Sequence, residues 1–343
     1  MLPAYKTRML AWTAVVTMCY ATWARAESCA SAASLFRQHR WAEAADAYSS
    51  CEASAPGQTD ALLYRGKALV NANQFAAAAQ SLDAYLKTHS QSDDALYLQG
   101  YVRFRQDQPR ESLETFQRAA KLKRPAAADL KIAALDYVLL EDYNSAARYL
   151  EESLRLNPGD LEARYHLGRV RYQLNQFDAA ISAFESVLKA NPGDLKAQNN
   201  LGLCLEGKNE VAAALAAYHK AINLDAAAHS EQPYLNLGKL LLTLNRNVEA
   251  VDWLQKAVSI APQSSSAHYE LGRAQLSLNQ LEPARAQLEQ AIRLNDNESS
   301  PHYLLGRIYK RLGRDADAAA QFAITEQLIR SQNAKSGGMS SPH

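Results

Sequence analysis

Residues 161–194 read LEARYHLGRVRYQLNQFDAAISAFESVLKANPGD, and this stretch decides the fold. Leu167, Gly168 and Val170 fall in a first short amphipathic helix. Phe177, Ala180, Ile181, Phe184, Val187 and Leu188 recur at helical spacing in a second. Asn191-Pro192-Gly193-Asp194 then stops the second helix and opens the next unit. Helices this short are marginal alone in water. The pair therefore needs neighbours to stack on.

The neighbours recur at a step of 34 residues. Gly stands at the eighth place of the unit as Gly66, Gly100, Gly168, Gly202, Gly238, Gly272 and Gly306. The twentieth place is small: Ala44, Ala78, Ser112, Ala146, Ala180, Ala214, Ala250, Ala284 and Ala318. Four places on comes a large apolar residue: Tyr48, Leu82, Phe116, Leu150, Phe184, Tyr218, Leu254, Leu288 and Phe322. Gly inside a helix costs about 1 kcal/mol relative to Ala, so a glycine held in register demands a packing reason. A bare eighth place facing a small twentieth lets two helices touch, and the large residue one turn on fills the gap beside them. A 34-residue period with this pattern resembles the tetratricopeptide repeat family. The resemblance implies an all-α, right-handed superhelical solenoid of antiparallel helix pairs. It also implies a non-enzymatic scaffold that binds protein.

Nine units cover residues 27–58, 59–92, 93–126, 127–160, 161–194, 195–228, 231–264, 265–298 and 299–330. In the first, Ala32 replaces the Gly while Trp41, Ala44, Tyr48 and Pro56 keep the pattern. The third ends in the basic run Lys121-Leu122-Lys123-Arg124. The fourth has Ala134 at the Gly place and an unusually apolar first helix from Leu130 to Leu140. His229 and Ser230 are an insertion. Pro109, Pro233, Pro283 and Pro301 all fall in first turns of helices, where a missing N–H is harmless. After Arg330 the pattern stops, and Ser331 to His343 is expected to be disordered, with no closing helix. Leu328 and Ile329 would then sit on an uncapped end open to self-association.

Residues 1–26 read as a secretory signal peptide: Lys6 and Arg8, an uncharged run from Met9 to Ala24, and the cleavage site Ala24-Arg25-Ala26. The expected address is periplasmic or secreted, with an uncleaved membrane anchor as the alternative. The apolar run has 16 residues, short of the roughly 20 that a spanning helix needs. Met18 before Cys19 disfavours lipid attachment. Removing Lys6, Arg8 and Arg25 leaves 34 basic against 36 acidic residues, a balance with no basic excess to suggest nucleic acid. Cys29 and Cys51 fall in the opening helix pair, at its fifth and twenty-seventh places. In an oxidising compartment a disulfide is expected between them, the alternative being two buried free thiols. Cys204 is left odd, as a small core residue.

No catalytic motif is present: no H-E-x-x-H, no phosphate-cradling Gly loop and no C-x-x-C knuckle. The histidines share no local ligand spacing. His268 and His302, one period apart, read as core-flanking neighbours rather than a metal pair. No cofactor or metal is expected.

Binding is the better prospect. The second, fifth, ninth and twelfth places of each first helix share a face turned away from the Gly. In the family that this chain resembles, that face lines a concave groove holding a peptide segment or helix of a partner. Those places carry Tyr97, Tyr101, Phe104, Tyr165, Tyr172, Tyr269 and Tyr303, with Lys67, Arg169, Lys239, Arg273 and Arg307 at the ninth. Aromatic residues with Arg anchor protein interfaces, so the expected ligand is an acidic or aromatic-containing segment. The carboxylate clamp of the family's chaperone adaptors is incomplete: Asn200 and Asn236 fall at its sixth place, but Tyr165, Arg169, Gln232, Ser266 and Glu270 do not complete it. Two alternatives stay open, a membrane-anchored assembly subunit and a carbohydrate-binding or enzymatic site in the groove.

Overall fold

The computed structural model describes residues 29–54, 60–225, 227 and 229–337. The expected signal peptide at 1–26, together with Pro56, lies outside the described residues. The chain divides into two compact units between Val170 and Arg171.

The first unit holds α1 at 29–37, α2 (Trp41–Ser54), α3 (Ala61–Asn71), α4 (Phe75–Thr88), α5 (Asp93–Arg105), α6 (Pro109–Ala120), α7 (Ala127–Leu139), α8 (Tyr143–Leu156) and most of α9 (Leu161–Gln173). The second holds α10 (Phe177–Ala190), α11 (Leu195–Gly207), α12 (Val211–Leu224), α13 (Gln232–Thr243), α14 (Asn247–Ile260), α15 (Ser265–Ser277), α16 (Leu281–Leu294), α17 (Ser299–Arg311) and α18 (Asp315–Gly337). Each unit is an all-α stack of helix pairs, in the manner of a solenoid, with each pair resting on the next.

Short turns join the two helices of a pair, and one residue in each takes a left-handed conformation. These are His39, Asn73, Asp107, Glu141, Asn175, Asn209, Asn245, Asn279 and Gly313. They are spaced by 34, except where His229 and Ser230 are inserted. Asn dominates because its short polar side chain tolerates that region. Between pairs, side chains cap the next helix: Ser92, Asp160, Asp194 and Ser264 accept from the N–H of Ala95, Ala163, Ala197 and Ala267. Each such cap stabilises its helix by about 1 kcal/mol.

The eighth-place glycines face the large residue of the partner helix more than its small one. A Cβ on Gly202 would lie 2.5 Å from the Tyr218 ring, and one on Gly238 2.5 Å from Leu254 Cγ. Tyr218, Leu254 and Leu288 are accordingly fully buried. The small twentieth place sets the distance between helices, and the twenty-fourth fills the space that the glycine vacates.

One expectation is corrected. Residues 331–337 are not disordered but prolong α18 to Gly337. The Ser331 hydroxyl donates to the Leu328 carbonyl at 2.8 Å, and Gln332 Nε2 donates to the Asn297 carbonyl at 3.3 Å, tying the added turn to the loop before α17. The closing helix that the repeat pattern lacks is therefore a continuation of the last one. Ile329 on it remains 44% exposed. Among the described residues no helix is long and apolar enough to cross a membrane.

Cys29 and Cys51 are joined in the structure across α1 and α2, with their Cα atoms 5.0 Å apart. Cys204 is buried, and burial pushes its thiol pKa up to about 12.

Candidate functional site

In the first unit α3 touches α5, and α5 touches α7, so the first helices of successive pairs form one wall. Their exposed faces enclose a concavity of 370 Å³ whose lining includes Lys67, Tyr97, Tyr101, Lys131 and Ile132. Three of the residues picked out by register therefore share one surface. Phe104, one turn past Tyr101 on α5, is half-buried. On the part of α9 in this unit Tyr165 is half-buried and Arg169 exposed.

Acids make this surface less basic than the ninth-place bases alone suggest. Lys67 Nζ reaches Asp94 Oδ2 at 2.5 Å and lies 5.1 Å from the centre of the Tyr64 ring. Lys131 is bound on two sides, by Asp160 at 3.1 Å and Glu162 at 2.5 Å, and is only 16% exposed. Burial works against its charge, but Glu162 and Asp160 outweigh it and hold its pKa above the usual lysine value. The hydroxyl of Tyr97 donates to the Lys123 carbonyl at 2.6 Å, and burial pushes its pKa up to about 12. Tyr101 accepts from Arg105 Nη1 at 2.8 Å, and that guanidinium lies 4.2 Å from the centre of the Phe75 ring. The tyrosines are thus held at their tips, and their half-buried rings line the concavity.

In the second unit α11 touches α13, α13 touches α15 and α15 touches α17. Tyr269 and Tyr303 line a concavity of 330 Å³ with Ser299, Thr325 and Ile329. Tyr303 is 48% exposed, and Arg307 sits 5.9 Å from its ring centre. Tyr172 packs against Phe177 at 5.8 Å, and burial followed by the nearby Glu206 raises its pKa. Lys239 and Arg307 are exposed. Arg273 lies 2.9 Å from Glu270 Oε2, out of line for a hydrogen bond. Glu270 is buried, which raises its pKa, while Arg273 and Lys239 pull the other way.

Register alone missed two features here. Glu270 puts an acid between two of the expected bases. Asn236 Nδ2 donates to Asn199 Oδ1 at 3.0 Å, a buried amide pair bridging α11 and α13. Asn200, next to Asn199 in sequence, donates to the Lys196 carbonyl at 2.8 Å. His268 and His302 lie buried against Gln287 and Gln321 of their partner helices, with Nδ1 at 2.6 and 2.7 Å. Among the described residues no group of three metal-ligating side chains converges.

Four family models, each described as tetratricopeptide repeat, match residues 137–201 with 241–308, 29–95, 94–122 and 195–227. Together they span most of the chain. Among curated proteins, the BBSome complex member BBS4 of Bos taurus is 25% identical over 179 residues, covering 52% of this chain and 27% of its own length. The chain thus spans about a quarter of that relative. Among solved structures, a tetratricopeptide repeat protein from Parabacteroides merdae is similar with a TM-score of 0.60 at 18% identity, over 72% of this chain and 97% of that one. The C-terminal part of a repeat-containing protein from Cytophaga hutchinsonii gives 0.58 at 17%, over 71% and 99%. At these identities the structures speak to the fold.

Proposed function

The chain is a member of the tetratricopeptide repeat family, and from that premise we propose that it is a non-enzymatic scaffold gripping a peptide segment or helix of a partner on the inner faces of its first helices. Stacked repeats of this kind present extended concave surfaces suited to such ligands. The observation that carries the reading is the set of aromatic faces lining a concavity in each unit, Tyr97 and Tyr101 in the first and Tyr269 and Tyr303 in the second. The preference for an acidic segment rests on Arg169 in the first unit and on Lys239 and Arg307 in the second, which are exposed. In the first unit Lys67 and Lys131 already face acids.

The test is capture of partners from an extract of the source organism by the full chain, beside Tyr101→Ala and Tyr303→Ala variants with unchanged helical circular dichroism. The segment bound is then mapped with overlapping peptides. A partner peptide that binds the parent and is lost in a variant supports the groove. Peptides held equally by all three chains would move the working surface to the second helices.

We further propose export through residues 1–26, for which the charged start, the apolar run and the Ala24-Arg25-Ala26 site are the support. Intact mass of the protein recovered from the whole host culture, cells and medium together, distinguishes a chain beginning at Glu27 from one retaining the leader. A retained leader would favour the membrane-anchored alternative.

A further inference from the structure

The junction between the third and fourth repeats lacks two large side chains that comparable places carry. The twenty-eighth place holds Leu86, Leu154, Leu188, Ile222, Val258 and Ile292 in the other internal repeats, but Ala120 in the third. The seventh place holds Leu167, Leu201, Leu237, Leu271 and Leu305 in the last five repeats, but Ala133 in the fourth. The helix that carries Ala120 is also cut short: α6 has 12 residues where α4 and α8 have 14. Leu122, which a longer helix would carry, is left 40% exposed.

Both alanines line the same cavity. It measures 290 Å³, and its walls include Tyr97 of α5, Phe116 of α6, Asp129 of α7 and Tyr149 of α8. A single interior Leu-to-Ala truncation opens roughly 150 Å³, and such a cavity stays dry and takes up benzene. Two truncations side by side give the volume found here, which suits a bicyclic ring rather than a monocyclic one. An empty apolar void destabilises a fold in proportion to its volume, so an occupant that fills it gains what packing forgoes.

One wall is polar. Asp129 accepts from the Ala126 N–H at 2.8 Å, and this half-buried carboxyl has no other hydrogen bond among the described residues. A ring that carries a polar hydrogen would find an acceptor there. Tyr97, Phe116 and Asp129 also line the 370 Å³ concavity beside it, so the cavity opens sideways off that surface.

We propose that this cavity is a specificity pocket for a tryptophan side chain of a partner polypeptide, its ring seated between Tyr97, Phe116 and Tyr149 and its indole N–H given to Asp129. In assigning the ring to a polypeptide the proposal rests on the groove reading above. The pocket itself does not.

The test uses the full chain with indole, 1-methylindole and N-acetyltryptophanamide as probes, followed by calorimetry and by shifts of the Tyr97 and Tyr149 ring resonances. Indole should bind saturably with Kd on the order of 1 mM, as expected for a ligand of this size. Removing the ring N–H in 1-methylindole should weaken binding about tenfold, the loss of one charge-assisted hydrogen bond. Ala133→Leu should fill the pocket and abolish indole binding; Ala120→Leu does so from the opposite wall if the first variant misfolds. The capped amino acid should bind at least as well as indole. Absence of saturable binding, or equal binding by the filled variants, would overturn the pocket. Indole binding with exclusion of the capped amino acid would overturn the polypeptide source. Partner peptides indifferent to Tyr101→Ala and Tyr303→Ala would sink the groove reading while leaving the indole result standing.

Discussion

Asp136 offers the sharpest test of how this fold tolerates polarity in its core. It stands at the tenth place of its repeat, where the second, third and fifth to ninth repeats bury Ala68, Val102, Val170, Cys204, Leu240, Ala274 and Ile308. Its side chain is fully buried, and Oδ2 lies 2.5 Å from the hydroxyl of Ser112 on α6. That hydroxyl is also 2.9 Å from the Gly100 carbonyl. A hydroxyl has one hydrogen to give, and the carbonyl has none. If Ser112 donates to Gly100, Asp136 must carry a proton and donate to Ser112. Burial agrees, pushing the Asp136 pKa from 3.8 up to about 7.

This fixes the sign of the linkage. Between pH 4 and 7 the folded chain holds a proton that the unfolded chain has released, so stability falls as pH rises through that window. Three pH units at about 1.4 kcal/mol each put the loss at roughly 4 kcal/mol, complete above pH 7. Asp136→Asn removes the titration while keeping a donor toward Ser112. The extra amide hydrogen has no acceptor nearby and costs about 1 kcal/mol, so the variant should be slightly the weaker near pH 4. It should be the stronger by about 3 kcal/mol at pH 8. Native-state hydrogen exchange of α6 and α7, with the two chains compared at equal pH, reads the difference locally, which suits an array in which global two-state unfolding cannot be assumed. A difference that stays constant from pH 4 to 8, or a variant still weaker at pH 8, would refute the buried neutral acid.

Gly202→Ala should lower stability by about 1–3 kcal/mol, because its Cβ would stand 2.5 Å from the Tyr218 ring. Gly193→Ala is its control: the added carbon meets only Asn191 Oδ1 at 3.7 Å, and thermal melts should shift little. Reducing the Cys29–Cys51 bond, which closes a separation of 22 residues, should cost about 3 kcal/mol, and exchange should rise in α1 and α2 first. Protection there that is unchanged by reductant would count against a stabilising bridge. Asp194→Ala removes the acceptor for the Ala197 N–H at 2.9 Å and should cost about 1 kcal/mol in chemical denaturation.

Much of the fold is legible from register, because a packing rule repeated every 34 residues prints itself on the sequence. The eighth and twenty-fourth places exclude each other sterically, and Gly202 with Tyr218 can be paired on paper. Register also places Lys67, Tyr97 and Tyr101 on one surface, and Tyr269 with Tyr303 on another. Charge is less legible, because a base on one helix is answered from the next. Asp94 meets Lys67 from 27 residues on, and Glu162 meets Lys131 from 31. Both acids stand at the second place of their own helices, on the face that register draws, but a face drawn for one helix at a time does not show which base each acid meets. The end of α18 escapes the sequence for a related reason: Gln332 is held by the Asn297 carbonyl, a contact that composition does not reveal.

The same periodicity supplies a reference against which each exception can be weighed, and the exceptions gather in one place. Ser112, Ala120, the shortened α6, Ala133, Ala134 and Asp136 all fall within residues 109–136, at the junction of the third and fourth repeats. Taken singly they look like drift. Taken together they substitute a hydrogen-bonded acid for one core side chain and a cavity for two more. Both changes lower stability by the rules that hold the other junctions together. A junction that departs from its neighbours in the destabilising direction at several packed positions is where function, rather than folding, best accounts for the residues. That places the first search for a ligand between α6 and α8, ahead of the more regular surfaces on either side.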